Sequence, residues 1–218
     1  EDFIPGREVA LEGTLDRGTL TTLALFDKPD PLDGPFFEET IYVTPSRLAG
    51  KRQDRIRQAV DRICRVAGLT DGPVHAEMRI NQRGVWLLEV AARSIGGLCG
   101  RMLTHLLGIS LEEQILRQAV GEPVATTRRD GAAGVMMIPI PRRGIYHGIE
   151  GVAAAQSVSG ISDVAIAVQP GQIIAPPPDG ASYLGFIFSR AASPADAEMA
   201  LRIAHCLLQV DIRPEYPA

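Results

Sequence analysis

Apolar and polar positions alternate along the first part of the chain in a pattern that is typical of strands. The alternating runs cover Arg7 to Leu15, Thr19 to Phe26 and about 36 to 43, with turn residues or a proline-containing loop between them. This pattern predicts a three-stranded antiparallel meander. From Arg47 to Ala67 the apolar residues recur at helical spacing instead, which predicts a helix capped by Ser46.

The next segment predicts a β-hairpin with strands Val74 to Ile80 and Val85 to Val90. A three-residue turn that ends in Gly84 would set its register, because glycine adopts the left-handed conformation that such turns require. The predicted register places Glu77 opposite Glu89. It also pairs Asn81 with Val85, Arg79 with Leu87 and His75 with Ala91. The opposite face is then wholly apolar and is predicted to be core: Val74, Ala76, Met78, Ile80, Trp86, Leu88 and Val90.

The remaining sequence predicts an α+β fold in two parts. Helices are expected at about 101 to 107 and at 111 to 120, the second capped by Ser110. A polar stretch at 126 to 131 is the candidate boundary between domains 1–125 and 131–218. Beyond it we expect strands at 134 to 140, 164 to 168 and 184 to 189, a small helix at 150 to 155, and a last helix from Pro194 to about Val210, capped by Ser193.

Composition narrows the classes of partner. The 218 residues include 22 Lys and Arg against 26 Asp and Glu, and the formal charge of −4 argues against a nucleic-acid partner or an anionic membrane surface. No apolar run is long enough to span a bilayer. Three widely spaced cysteines fit neither a disulfide framework nor a zinc site, which favours a cytoplasmic location. The start lacks Met and a targeting peptide, so we expect a segment cut from a longer protein.

The Glu77–Glu89 pair is the first candidate site. Like charges directly opposite each other in an antiparallel pair are destabilising, so the arrangement requires a compensating cation. Mg²⁺ would fit, because it binds one or two carboxylates and completes its coordination with water and phosphate oxygens. Arg79 and Arg93 on the same face could instead neutralise the pair in a solvated salt-bridge network. Taken alone, the pair leaves both interpretations open.

The residues that follow Glu89 favour a phosphate site. Arg93 would place a permanently charged guanidinium, with its several N–H donors, beside the carboxylates. The Gly96-Gly97 turn would add exposed backbone N–H groups there. Phosphoryl transfer requires such an arrangement, since its transition state spreads negative charge over oxygen atoms and is stabilised by positioned cations and donors. These residues therefore predict a metal-assisted phosphate site.

Together, these motifs resemble ATP-grasp carboxylate–amine ligases. The strand residue Glu77 is followed twelve residues later by Glu89, and then by Arg93 and Gly-Gly, in the order of that family's metal and catalytic centre. Residues 1 to 8, Glu-Asp-Phe-Ile-Pro-Gly-Arg-Glu, are similar to the family's nucleotide-binding hinge, and residues 26 to 39 are similar to the branch that contains L-amino-acid ligases. The resemblance implies the C-terminal half of an ATP-grasp fold with helices on an antiparallel sheet, followed by a small C-terminal domain.

The resemblance also implies roles for individual residues. ATP and Mg²⁺ (or Mn²⁺) are the implied cofactors, with Glu77 and Glu89 as metal ligands. The implied catalytic groups are Arg93, Gly96 and Gly97. The implied nucleotide-binding residues are Glu1, Phe3, Ile4, Glu8 and Lys28. His75 and Ser94 are secondary candidates for substrate contact. Many relatives have an Asn ligand at the position of Ala91, so a metal here would depend more on the two glutamates.

The predicted function is the C-terminal portion of an ATP-dependent ligase that joins a carboxylate to an amine through an acyl phosphate. The alternative is a non-catalytic nucleotide-binding or assembly module with the same fold. The family places further domains before the hinge, including the lysines that hold the phosphates, so we expect this polypeptide alone to bind ATP weakly and to lack activity. The expected partners are the two small-molecule substrates, those N-terminal domains and, as an open alternative, a second copy of the chain.

Overall fold

A computed structural model describes residues 2–31, 40–122, 128–180 and 183–215. Helices and strands alternate within these ranges in an α+β fold, as the sequence predicts. The strands are β1 (Arg7–Asp16), β2 (Thr19–Asp27), β3 (Ile41–Thr44), β4 (Gly72–Asn81), β5 (Gly84–Ala91), β6 (Ala132–Ile138), β7 (Gly144–Glu150), β8 (Ile161–Ile166), β9 (Ile173–Ile174), β10 (Gly185–Ala191) and β11 (Gln209–Arg213). The helices are α1 (Gly50–Val66), α2 (Leu103–Leu107), α3 (Leu111–Ala119), α4 (Val152–Gln156) and α5 (Pro194–Cys206), and a 3₁₀ turn at Cys99–Met102 leads into α2.

The strands form two antiparallel sheets. The large sheet has eight strands in the order β5-β4-β1-β2-β3-β6-β10-β8, and the small one has the order β11-β7-β9. The predicted meander is confirmed for β1, β2 and β3, although residues 36–39 of the predicted third strand lie outside the described residues. Strand β3 also pairs with β6, with Ile41 opposite Met136, so the large sheet continues across the predicted boundary. The division into two domains stays a prediction.

The first half of the large sheet packs one apolar face against α1, and charged residues of β1 and β4 lie on its other face beside a second apolar cluster that includes Phe26 and Tyr42. Side chains such as Leu11 and Met78 are fully buried on one face, where they pack against Ile56 and Val60 of α1. Their neighbours along the chain point to the opposite face, and these include the charged residues of β1 and β4. The candidate site therefore lies on the face away from α1.

Two of the three predicted serine caps are confirmed. Ser110 accepts a hydrogen bond from the backbone N–H of Glu113, and Ser193 accepts one from that of Asp196. The prediction for Ser46 is wrong, since α1 begins at Gly50 after Ala49, with no side-chain cap. The Ser46 hydroxyl instead donates to Oδ1 of Asp27 at 2.5 Å, which ties the loop to the end of β2.

The hairpin differs from the prediction near its turn. The turn contains only Gln82 and Arg83, so Arg79 pairs with Trp86 rather than with Leu87. A β-bulge between the Met78 and Glu77 positions then shifts the register back, and it does so by adding one unpaired residue to β5. Glu77 therefore lies opposite Glu89, and His75 opposite Ala91, as predicted.

The shorter turn also changes which side chains of β5 face the core between the turn and the bulge. Trp86 now lies on the same face as Arg79, and 37% of its surface is exposed. Leu88, also predicted to be core, is exposed as well. Strand β5 is at an edge of the large sheet, where its apolar side chains have few neighbours. The prediction of Trp86 as a core residue is therefore wrong.

The second half contains a three-stranded sheet, β11-β7-β9, that the pattern does not predict. Residues Gly144–Glu150 form a strand where we expected a turn and the start of a helix, and the last helix ends at Cys206 so that β11 can pair with that strand. Among the residues that the structure describes, no helix combines the length and apolar character that a membrane span requires.

Candidate active site

Charged side chains of opposite sign face each other across β1 and β4. The register places Glu8 opposite Arg79 and Glu12 opposite His75, and it places Ala10 opposite Glu77. A small residue at that last position leaves room beside the Glu77 carboxylate. The two strands thus assemble three carboxylates and two cationic groups on one face of the sheet.

Lys28 connects two of these carboxylates. It follows the end of β2, where its ammonium lies 2.8 Å from Oε1 of Glu8 and 2.9 Å from Oε1 of Glu77, and only 7% of the residue is exposed. Its ammonium also lies 4.9 Å from the centre of the Tyr42 ring, within range of a cation–π interaction. Lys28 is therefore a buried member of the charged group formed by Glu8, Glu77 and their partners.

Arg79 holds the N-terminal hinge against this cluster. Its Nε donates to Glu8 at 3.0 Å, and its terminal nitrogen donates to the backbone carbonyl of Ile4 at 2.8 Å. The guanidinium also lies 4.5 Å from the centre of the Phe3 ring. Phe3, Ile4 and Glu8 are therefore close together, whereas Glu1 lies outside the described residues.

His75 bridges two carboxylates. Its Nδ1 lies 3.0 Å from Glu12 and its Nε2 lies 3.3 Å from Glu77. Burial by itself would lower the pKa of His75, but the hydrogen bonds to Glu12 and Glu77 and their negative charges raise it to about 9. His75 therefore carries a positive charge at neutral pH.

Glu12 is fully buried, with no exposed surface. Burial raises its pKa, against the opposing effect of His75 and of the backbone N–H of Ile95. That N–H donates to both carboxylate oxygens, at 3.2 and 3.1 Å, and so ties the loop after β5 to β1. Glu12 thus positions both His75 and this loop.

Glu77 is held by three neighbours. Besides Lys28 and His75, the hydroxyl of Tyr42 donates to its Oε1 at 3.1 Å. Burial would raise the pKa of Glu77, but the hydrogen bond from His75 and the charge of Lys28 together lower it well below its usual range. The carboxylate is therefore ionised and fixed in orientation.

Glu89, opposite Glu77, has a more open environment. Its side chain is 56% exposed, and Arg93 contacts it at 3.4 Å. The other guanidinium nitrogen of Arg93 donates to the backbone carbonyl of Ser94 at 3.0 Å. Gly97 follows with φ of +61°, in the left-handed region that favours glycine. The structure thus brings these residues together at the open end of the site.

The donor set is consistent with a hard divalent cation. Across the described ranges, no group of three or more His, Cys, Asp or Glu side chains is arranged to hold a metal ion. Glu77 and Glu89 nevertheless supply two carboxylates at paired positions, and Mg²⁺ sites of this kind are completed by water and phosphate oxygens. The pair therefore fits a metal that binds together with a phosphorylated ligand.

Two residues of the site, Glu12 and Tyr42, are not among the sequence candidates. Glu12 alternates with apolar residues of β1 and lies four positions after Glu8, a spacing that places both on one strand face. This alternation could have identified Glu12 as a site residue. Tyr42 gives no comparable signal, because an aromatic residue in an apolar strand is usually core.

Comparison with known families gives two matches along the chain. Residues 1–102 match the family model of the ATP-grasp domain, and residues 136–213 match that of L-amino acid ligase C-terminal domain 2. Among curated proteins, the chain is 26% identical over 161 residues to the uncharacterized protein y4rH of Sinorhizobium fredii. This match covers 73% of the chain and 34% of y4rH.

Solved structures show the same fold. L-amino acid ligase from Bacillus licheniformis superposes with a TM-score of 0.86 at 26% identity, over 97% of this chain and 53% of that one. Phosphoribosylglycinamide synthetase from Anaerococcus prevotii superposes with a TM-score of 0.79 at 14% identity, over 97% and 55% of the two chains, and supports the fold alone. The chain thus spans about a third of the length of y4rH and about half that of the ligase.

Proposed function

Because residues 1–102 match the ATP-grasp domain and residues 136–213 match L-amino acid ligase C-terminal domain 2, we propose that the chain forms the C-terminal part of an ATP-dependent enzyme that joins a carboxylate to an amine through an acyl phosphate. The observation that carries this proposal is the pairing of Glu77 with Glu89 beside Arg93 and the Gly96-Gly97 turn. The combination of a metal-binding carboxylate pair, an arginine and free backbone N–H groups suits phosphoryl and acyl transfer. The dipeptide-forming branch is the favoured one, because of the L-amino acid ligase match at residues 136–213.

In this proposal, Glu77 and Glu89 hold Mg²⁺ or Mn²⁺ together with the nucleotide phosphates. When bound, the metal neutralises the phosphate charge and withdraws electron density from the transferred group. Glu77 is ready for this role because Lys28, His75 and Tyr42 hold its carboxylate in place. Glu89, held by fewer groups, can adjust its side chain as the ligand binds.

The chemistry would proceed in two steps. A substrate carboxylate oxygen attacks the γ-phosphorus of ATP, and ADP leaves. The amine nitrogen of the second substrate then attacks the acyl carbon, the C–O bond to phosphate breaks, and the nitrogen loses a proton. Arg93 and the backbone N–H groups of Gly96 and Gly97 stabilise the negative charge that develops on the transferred phosphoryl group and on the acyl oxygen.

His75 has a supporting role in this scheme. With a pKa of about 9 it already carries a proton at neutral pH, so it is unsuited to accept one from the amine. Its positive charge between Glu12 and Glu77 instead keeps the metal-binding carboxylate ionised. Ser94 contributes its backbone carbonyl, which orients Arg93.

The adenosine part of ATP is assigned to the hinge. Phe3 and Ile4 are held by Arg79 at the edge of the site, where a ring and backbone groups can contact adenine. Glu8 would approach the ribose. An ATP-consuming reaction in a protein with free thiols is in keeping with a cytoplasmic location.

The test is an assay of phosphate release by the full-length protein. We expect release from ATP to require Mg²⁺, a carboxylate and an amine, and to fall at least about a hundredfold in Glu89→Gln. Glu112→Gln, which changes an exposed glutamate on α3, is the matched control and should leave the rate unchanged. A protein that binds ATP but releases no phosphate with any pair of substrates would favour the non-catalytic module.

A further inference from the structure

A cavity of about 210 Å³ follows the edge of β2 that faces β3. Residues 21–25 of β2 all line it, which places the cavity along the edge of this strand, because successive side chains alternate between its two faces. Within the described residues, β2 pairs with β3 at a single position, Asp27 opposite Val43, and the cavity lies beyond that pair. None of its lining residues belongs to the candidate active site.

Arg128 brings a positive charge to this cavity without a carboxylate partner. Its side chain is half-buried, and it forms no ion pair with any residue that the structure describes. Both terminal nitrogens lie 3.4 Å from Oγ1 of Thr44, which is a long contact to one neutral hydroxyl. Burial lowers the pKa of Arg128, but an arginine side chain stays protonated in proteins. The guanidinium therefore loses hydration without gaining an opposite charge, and this favours an anionic ligand.

The rest of the lining adds hydrogen-bond donors. Arg57 supplies a second guanidinium, which already pairs with Asp54 at 2.9 Å on the exposed surface of α1. The hydroxyls of Thr21 and Thr22 also belong to the lining, and no Asp or Glu is among the lining residues that the structure describes.

The backbone of β2 offers further donors. Alternate residues of an antiparallel strand direct their N–H groups to each of its two edges. Over residues 21–25, no described residue forms a backbone hydrogen bond with the edge that faces β3. The cavity thus combines positive charge with N–H and O–H groups, which are the donors that bind carboxylate and phosphate oxygens.

We infer that this cavity binds a small organic anion whose carboxylate or phosphate group pairs with Arg128 and whose short carbon chain contacts Leu23 and Leu107. Both leucines are buried side chains of the cavity wall. The volume corresponds to roughly seven water-sized groups, which leaves room for a few carbon atoms besides the anionic group. The inference goes beyond the proposed function, because no residue of this cavity takes part in the proposed chemistry.

The experiment is a calorimetric titration of the full-length protein with n-butyrate and with n-butyl phosphate. We expect at least one of these probes to bind saturably and to raise the midpoint of thermal unfolding, since a ligand of the folded state stabilises it. The tighter probe identifies the anionic group. The uncharged n-butanol has the same carbon chain and should bind at least about tenfold more weakly than that probe.

Variants of Arg128 assign the binding to this cavity. Arg128→Gln should weaken binding of the tighter probe at least about tenfold, because it removes a hydrogen-bonded contact between charged groups. Arg128→Lys keeps the charge without the planar fork of donors and should bind with intermediate affinity. Arg129→Gln is the matched control, since this neighbouring arginine is exposed and does not line the cavity. It should leave the affinity unchanged.

Two results would overturn the inference. If Arg128→Gln and Arg128→Lys both bound the probes as tightly as the wild type, the anion would bind elsewhere, for example at Arg93. If neither probe bound to the wild type, water alone would hydrate Arg128. Both results would leave the ligase proposal standing, because phosphate release from ATP tests it separately.

Discussion

The two paired glutamates of the hairpin occupy very different environments. Glu77 is 18% exposed and is bound by Lys28, His75 and Tyr42, whereas Glu89 is 56% exposed and has a 3.4 Å contact with Arg93. The difference arises from their strands. Strand β4 lies between β1 and β5, while β5 is at the edge of the large sheet.

This comparison indicates that the β4 side and the β5 side of the site have different roles. Charges on β4 must be compensated within the fold because burial removes their hydration, and the resulting network fixes Glu77 in one orientation. Charges on β5 remain hydrated and need no such network. One side of the site is therefore preorganised by the fold, and the other side is free to adjust to its ligands.

Replacing Lys28, the cation that Glu8 and Glu77 share, should destabilise the preorganised side of the site. We expect Lys28→Met to lower the free energy of unfolding by about 3 to 5 kcal/mol, because it leaves the buried carboxylates of Glu8 and Glu77 without their common partner. Urea unfolding measures the change. Lys51→Met on the exposed surface of α1 is the control and should change stability by less than about 0.5 kcal/mol. Equal effects of the two variants would contradict the role assigned to the network.

Deprotonation of His75 should also lower the free energy of unfolding, because it removes a positive charge from the same side of the site. Its pKa is 6.5 in the unfolded chain and about 9 in the folded protein, so its stabilising effect is complete below pH 6.5 and is lost as the pH rises through 9. The expected loss is on the order of 3 kcal/mol. Urea unfolding at several pH values should show this decline in the wild type and a smaller one in His75→Gln. His147→Gln, at an exposed histidine of β7, should retain the full decline.

The exposed side should affect chemistry rather than stability. In the full-length protein, we expect Arg93→Ala to lower kcat by about a hundredfold or more with the KM for ATP within a few-fold, since Arg93 acts on charge that develops during the reaction. Arg93→Lys should restore part of the rate, and neither variant should change the unfolding midpoint appreciably. Arg117→Ala, which removes an exposed arginine paired with Glu113 on α3, is the kinetic control. A raised KM for ATP with a normal kcat would reassign Arg93 to nucleotide binding.

Much of the fold could be predicted from the sequence, because most of its elements have local signals. Alternation identifies β1, β2 and β4, and Ser110 and Ser193 mark the starts of their helices. The missed elements lack such signals. Strand β11 directly follows α5 in an apolar stretch that fits a longer helix equally well, and only its pairing with β7 makes it a strand.

The site could be predicted in outline for the same reason. The pairing of Glu77 with Glu89 follows from hairpin geometry, and the structure agrees. The sequence pattern does not reveal that Lys28 and Tyr42 reach Glu77, because these contacts join strands that are distant along the chain. A pattern of alternating residues does not reveal a β-bulge either. Here the bulge compensates for the predicted turn, which is one residue too long, so that Glu77 still pairs with Glu89.

The register set by the two-residue turn leads to the smallest expected effect, at the exposed edge of the hairpin. Because Trp86 is 37% exposed and on the site face, we expect Trp86→Ala to cost less than about 1 kcal/mol of stability, even though its Nε1 donates to Asn81 at 3.2 Å. Met78→Ala on β4 should cost about 2 to 5 kcal/mol, since that side chain is fully buried against α1. Urea unfolding of both variants tests the register. If Trp86→Ala were as costly as Met78→Ala, Trp86 would belong to the core, and the hairpin would have the three-residue turn without a bulge.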